Sequence, residues 1–368
     1  MAAHEVMAEP ARDTAPLDQA KMEAFMGKAL GDFAGAYTAL MCALGDRLGL
    51  FKELVTNGPA TSAELATRAG LAERYVREWL GGMTSAGYLE YDPASRRFTL
   101  PPEHAPLLAE EGGPLFFGGA YAMLPSLAQQ FDRVAQAFRQ GGGVPLSAYD
   151  GHFWCGSERM TAGWFNNLLV PQWLPTMPEV QAKLEQGAQV ADVGCGHGLA
   201  LIKLAEAYPN SRYVGYDVLE SSIATARARA AQAGVDDRVR FEALDAAQGL
   251  PEQYDVITTF DVVHDLVDPR GLLRAIRRAL RPDGIFVCLE FNCSDKLEEN
   301  RGPLGTVMHG GSIFYCLTTS LAHDGEGLGT LGLPESKLRE LCTEAEFGSV
   351  LRVPIENPFN ILYEIKAS

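Results

Sequence analysis

The stretch between residues 190 and 217 constrains the chain more than any other. A short β-branched run at 190–193 passes directly into Asp192-Val193-Gly194-Cys195-Gly196-His197-Gly198, and a helical pattern opens at Leu199 with no spacer. Glycine has no Cβ, so a strand-to-helix turn built from glycines lets a ligand lie against bare backbone. A second strand pattern at 213–217 ends on Asp217, about 20 residues beyond the glycines, where a carboxylate can accept both hydroxyls of a ribose. The two features together predict a nucleoside-containing ligand. A dinucleotide site asks for G-x-G-x-x-G, but counting from Gly194 puts Leu199 at the third glycine, and counting from Gly196 puts Leu201 there. NAD chemistry is disfavoured on that spacing.

From residue 188 onward, strand patterns at 190–193, 213–217, 239–243, 256–260 and 284–290 alternate with helical patterns at 199–207, 221–232 and 269–280. Such alternation predicts an α/β domain with a parallel sheet and right-handed crossovers. The upstream half reads differently. Thr61-Ser62-Ala63-Glu64 has capping-box spacing, and the helix it opens stops at Gly70. Tyr75, Val76, Trp79, Leu80 and Met83 form a second helical stripe ending at Gly87, and β-rich runs at 88–91 and 97–100 flank the turn Asp92-Pro93-Ala94-Ser95. Helix, turn, helix and hairpin make a winged helix. Its second helix carries Glu73, Arg74, Arg77 and Glu78 and is not net basic, which favours a dimerisation scaffold over a DNA reader. Ahead of it, apolar residues at helical spacing over 25–54, among them Phe33, Tyr37, Leu40, Met41, Leu44, Leu48 and Leu50, predict one or two buried helices. The expected organisation is a disordered tail over 1–18, a winged-helix dimerisation domain over 19–105, a helical linker or substrate lid over 106–185, and a nucleoside-binding domain over 186–368.

Charge and cysteine usage narrow the class further. With 47 acidic against 31 basic residues the net charge is -16, which would repel a phosphate backbone, so no nucleic-acid partner is expected. The seven cysteines are scattered and never form C-x-x-C, which argues against a disulfide framework or a zinc ribbon and for a reducing cytoplasm. No run approaches the roughly 18 apolar residues of a membrane span, and the first residues carry no targeting signal.

The D-x-G-x-G-x-G pattern of 192–198 resembles motif I of the class I S-adenosylmethionine-dependent methyltransferases, and Asp217 matches their ribose-binding acid. Over residues 25–368 the order of elements is similar to the small-molecule O-methyltransferases of plants and bacteria. It is most similar to a bacterial branch of unassigned substrate that shares Leu317-Thr318-Thr319-Ser320-Leu321 and Pro358-Phe359-Asn360. The resemblance implies a Rossmann-like, mostly parallel seven-stranded sheet with an antiparallel strand, preceded by an α-rich winged-helix domain. It implies S-adenosylmethionine as donor, S-adenosylhomocysteine as product, and a homodimer formed through the N-terminal domain. Gly194, Cys195, Gly196 and Gly198 would border the methionine part, with Asp192 near the sulfonium. Asp217 and Val218 would hold the ribose, Asp245 and Ala246 the adenine, and Phe260 would flank the donor. His264, in a His-Asp pair after the fourth strand, would be the general base, with Glu290 after the fifth strand orienting it. His264 could instead orient the substrate or pack beside the donor.

Three of the four tryptophans fall in 154–173, and an aromatic wall with a few polar anchors suits an organic or peptidic acceptor. Trp154, Trp164, Asn167 and His309 are the candidate acceptor contacts, and a plain core between domains is the competing reading. Tyr315 and Cys316 remain open. Asp261, His264, Asp265 and Asp268 offer metal-type ligands, but they straddle a strand end and the resemblance is to metal-independent enzymes, so no metal is expected. Transfer to sulfur, nitrogen or carbon by proximity alone, and a winged-helix regulator that senses S-adenosylmethionine, are the alternative functions.

Overall fold

The computed structural model describes residues 17–368, so the tail read over 1–18 lies outside the described residues except for Leu17 and Asp18. Asp18 caps the first helix, α1 (Gln19–Arg47), its carboxylate accepting from the Lys21 amide. The burial expected over 25–54 holds only towards the end of that stretch. Phe25 is 68 %, Leu30 69 % and Phe33 63 % exposed, and in α1 only Cys42, Ala43 and Gly45 are buried. The cause is geometric: α1 runs past the body of the chain, and α2 (Leu50–Asn57) folds back only against its last turns.

The winged helix forms as its local signals dictate. Thr61 and Glu64 make a reciprocal capping box at the start of α3 (Ser62–Ala69), which ends on Gly70 at φ +67°. The next helix, α4 (Glu73–Ser85), buries Val76, Trp79, Leu80 and Met83, and the indole of Trp79 donates to Met41 O at 2.8 Å. Strands β1 (Glu90–Asp92) and β2 (Arg97–Thr99) pair antiparallel around a turn in which Asp92 accepts from the Ala94 and Ser95 amides. On α4, Arg77 is paired with Glu73 and Arg74 with Glu78, so its basic side chains are spent on neighbours.

Helices at Gly118–Ala128 and Gly151–Trp164 join this unit to the α/β part. They cross closely at Gly119 and Gly156, where a Cβ on Gly119 would lie 2.4 Å from Met160 N. Arg159 ties the second of them to α1 through a two-pronged contact with Asp46 at 2.7 and 2.8 Å, and also holds Glu111.

The remaining strands are β3 (Gln189–Val193), β4 (Arg212–Asp217), β5 (Val239–Ala243), β6 (Tyr254–Phe260), β7 (Leu280–Phe291), β8 (Ser349–Val353) and β9 (Asn360–Lys366). They form one sheet in the order β5-β4-β3-β6-β7-β9-β8, parallel as far as β7, with β9 antiparallel to both neighbours. β7 begins at Leu280, ahead of the strand expected from 284, and carries an irregularity, because Leu280 already pairs with Tyr254 while Ile285 pairs with Val256. Helices cover both faces, one core built around Leu201, Tyr213 and Trp173 and the other around Leu273, Ile276 and Leu338. Strand order reverses at β3, which lies between β4 and β6, and the crevice at the carboxyl ends of such strands is where doubly wound sheets bind ligands.

Candidate active site

The crevice is floored by the glycine turn. Gly194, Gly196 and Gly198 all have positive φ, +71°, +52° and +79°. At Gly198 a Cβ would meet Phe241 at 2.5 Å, whereas at Gly196 no atom lies within 4 Å. Gly198 is therefore required by packing, and Gly196 leaves bare backbone beside open space. Gly198→Ala is expected to lose about 1–3 kcal/mol of stability from the strained φ alone, and to melt several degrees lower in calorimetry; an unchanged midpoint would refute this account of the turn.

Asp217, at the end of β4, is bound to the same turn. One of its oxygens accepts from Gly196 N at 3.0 Å and the other from Leu219 N at 2.9 Å. Burial raises its pKa, and those amides pull it back. An ionised carboxylate has about four acceptor sites, so the two amides leave room for a ribose diol. Asp192 is buried and accepts from Thr258 Oγ1 at 2.6 Å, and burial pushes its pKa up to about 7. Cys195 is half-buried, with a thiol pKa raised by burial. Val218 is exposed beside Asp217, Asp245 caps a short 3-10 turn by accepting from Ala247 N, and Ala246 is buried. Phe260, half-buried at the end of β6, packs edge-on against Phe165. The turn, the acid and the strand ends suit an adenosyl ligand: open backbone on one side, a diol acceptor on the other.

His264 and Glu290, read 26 positions apart, meet. The ring Nδ1 lies 2.6 Å from Glu290 Oε2, both residues are buried, and Glu290 Oε1 accepts from Val263 N at 2.7 Å. Burial alone would lower the imidazole pKa, but the Glu290 carboxylate, with Cys316 beside it, holds it well above 6.5. The pair adjoins the glycine turn, since Val262 is the residue that a Cβ on Gly194 would strike, at 2.6 Å. Asp265 is raised to about 7, first by burial and in part by Asp217.

Three residues of open role, Asp261, Tyr315 and Cys316, lie near the pair, and one participant, Glu158, gives no local sequence signal. Asp261 sits at φ +57°, an uncommon conformation for a residue with a side chain, and accepts from Asn360 Nδ2 at 2.6 Å. Tyr315 and Cys316 close a π-helical segment, Ser312–Cys316, with the Cys316 thiol close to His264. Glu158 lies 2.7 Å from His197 Nδ1 in the glycine turn and 3.0 Å from Arg229, which fastens the bridging helix onto that turn.

The four acceptor candidates separate. Trp154 is half-buried against Phe153 and Tyr315. Trp164 is buried in the core and stacks on Phe359, so its ring serves packing. Asn167 gives its amide group to Gly112 O and Gly163 O, which fixes a π-helical segment, Phe165–Trp173. His309 is exposed on the helix Pro303–Gly311.

Fold and comparisons agree on the class: a domain matching methyltransferases, with the fold of the class I enzymes, follows a winged helix. Residues 184–318 match the family described as a methyltransferase domain, and residues 36–110 match the Rv2258c-like winged HTH domain. A stretch of 110 residues, 30% of the chain, is 33% identical to the ubiquinone biosynthesis O-methyltransferase of Ruegeria pomeroyi and spans 44% of that protein. Human N-acetylserotonin methyltransferase in complex with SAM superposes with a TM-score of 0.71 at 16% identity, covering 96% of this chain and 100% of that one. Mitomycin 7-O-methyltransferase MmcR gives 0.70 at 19% identity, with 95% and 100% covered. At those identities the two structures speak for the fold.

Proposed function

We propose that the protein transfers the methyl group of S-adenosylmethionine to an oxygen of a small organic or peptidic acceptor, with His264 as general base. The observation that carries this reading is the buried Glu290–His264 pair beside the glycine turn. The donor supplies an electrophilic methyl on a sulfonium; everything else falls to the chain. Gly194, Cys195, Gly196 and Gly198 border the methionine part, Asp217 and Val218 take the ribose, and Asp245 and Ala246 flank the adenine beside Phe260. Asp192, buried at the end of β3 and bonded to Thr258, lies nearest the sulfonium. Neutral His264 takes the acceptor proton while Glu290 fixes its tautomer. Trp154 and Tyr315 supply an aromatic wall for the acceptor. The amide of Asn167 and the ring of Trp164 are engaged elsewhere, which moves both from acceptor contact to wall construction.

Titration calorimetry with S-adenosylmethionine, S-adenosylhomocysteine and NAD tests the donor. Micromolar binding of the two adenosyl ligands is expected, and a response to NAD alone would withdraw the assignment.

The exposed stripe of α1 is read as the homodimer surface. Phe25, Met26, Leu30, Phe33 and Tyr37 are each more than half exposed along one helix, and clustered exposed apolar side chains mark interaction surfaces. Leu30→Asp with Phe33→Asp is expected to halve the sedimenting mass; a double variant that sediments like the parent would place the interface elsewhere. The ion-paired face of α4 supports no DNA-reading role. Among the described residues no helix is long and apolar enough to cross a membrane.

A further inference from the structure

His264 leaves the sheet by way of an unusual turn. Asp261, the first residue after β6, has φ +57°, and a residue with a side chain keeps that left-handed conformation only where its surroundings fix it. The Asp261 amide donates to Leu289 O on β7 at 2.9 Å, and its carboxylate Oδ1 accepts from Asn360 Nδ2 at 2.6 Å. Asn360 opens β9, where it pairs with Phe291, so Asp261 reaches over the end of β7, the strand that carries Glu290.

The far side of this bond is itself anchored. Asn360 is 2 % exposed, and its Oδ1 accepts from Asn357 Nδ2 at 3.3 Å. Asn357 Oδ1 accepts from Phe359 N at 2.9 Å, Phe359 O accepts from Asn292 N at 2.8 Å, and the Phe359 ring stacks on Trp164. The run Pro358-Phe359-Asn360, which the donor site leaves without a role, thus presents one amide group to Asp261. On the near side, the three residues after Asp261 are each placed. Val262 lies against Gly194 of the glycine turn, Val263 N donates to Glu290 Oε1, and His264 Nδ1 meets Glu290 Oε2. Glycine at 261 would adopt the same φ without strain. What it would lack is the bond to β9.

We propose that Asp261 and Asn360 are positioning residues for methyl transfer: their hydrogen bond fixes the direction in which the chain leaves β6, and through it the seat of the His264 ring on Glu290. The inference rests on the reading of His264 as general base, because it acts only through that ring. A ring free to turn away from Glu290 loses its fixed tautomer, and with it the unprotonated Nε2 that must face the acceptor hydroxyl.

The test is nuclear magnetic resonance of the full-length protein, isotopically labelled at its histidine ring nitrogens, at a pH where the ring is neutral. His264→Ala identifies the signal. The parent should show one tautomer, with a proton on Nδ1 that exchanges slowly. Asp261→Gly keeps the backbone conformation and deletes the bond, so the Nδ1 proton signal should be lost to exchange and the two ring nitrogens should move towards a common, averaged shift. Asn360→Asp sets two carboxylates against each other and should do the same. Asp261→Asn combined with Asn360→Asp exchanges donor for acceptor and should restore the parent spectrum. A role in folding alone would lower the melting temperature of the single variants and leave the His264 signals of the folded protein unchanged, which overturns the proposal. A double variant no closer to the parent than Asn360→Asp overturns it as well, and should Asn360→Asp not fold, Asp261→Gly decides. An averaged tautomer in the parent would sink the base reading itself. Failure to bind S-adenosylmethionine, with the spectra as expected, would sink methyl transfer alone.

Discussion

Asp217→Ala is expected to weaken S-adenosylmethionine binding by roughly 100-fold or more, because hydrogen bonds to an ionised group are each worth about 1.5–3 kcal/mol and the ribose would lose two. The variant also releases Gly196 N and Leu219 N, which Asp217 holds at 3.0 and 2.9 Å, so the bare backbone of the turn loses its fixed position. Asp217→Asn keeps one acceptor oxygen and should fall between the two. Calorimetric titration reads both. An Asp217→Ala protein within a few-fold of the parent would mean that the β4 acid belongs to the turn's architecture and that the ribose lies elsewhere.

His264→Ala is expected to lower kcat by about 10²–10⁴-fold, the ordinary worth of a positioned general base, with the KM for donor unchanged. The pH profile carries the sharper test. A base must be neutral, and Glu290 holds the imidazole well above 6.5 against the opposing effect of burial. Activity in the parent should therefore rise with pH through a midpoint above 6.5. Glu290→Gln removes the charge that favours imidazolium, so the midpoint should move down while the plateau falls because the tautomer is no longer fixed. A profile without that rising limb, or one that Glu290→Gln does not move, would remove His264 as base and leave transfer by proximity alone.

The α/β half was legible because its signals are local. The glycine turn, the acid at the end of β4 and the alternation of strand and helix each sit within a short window, and the sheet follows them. The capping box at Thr61–Glu64 was legible for the same reason. What escaped depends on residues far apart. Cys316 meets His264 across 52 positions, Asn360 meets Asp261 across 99, and Glu158 meets His197 across 39. No periodicity encodes such pairs. Asn167 is likewise tied by distance: its Nδ2 donates to Gly112 O, 55 positions away, as well as to Gly163 O. The stripe on α1 was read correctly as apolar and wrongly as buried within one chain, since periodicity reveals a face and says nothing of what covers it.

Glu158 and Arg159 are neighbours on one helix, yet they grip opposite ends of the molecule. Glu158 holds His197 in the glycine turn, and Arg159 holds Asp46 near the end of α1. The glycine turn and the N-terminal helix are thus tied to one another through two adjacent side chains of a single helix. Any displacement of that one helix would therefore disturb both contacts together.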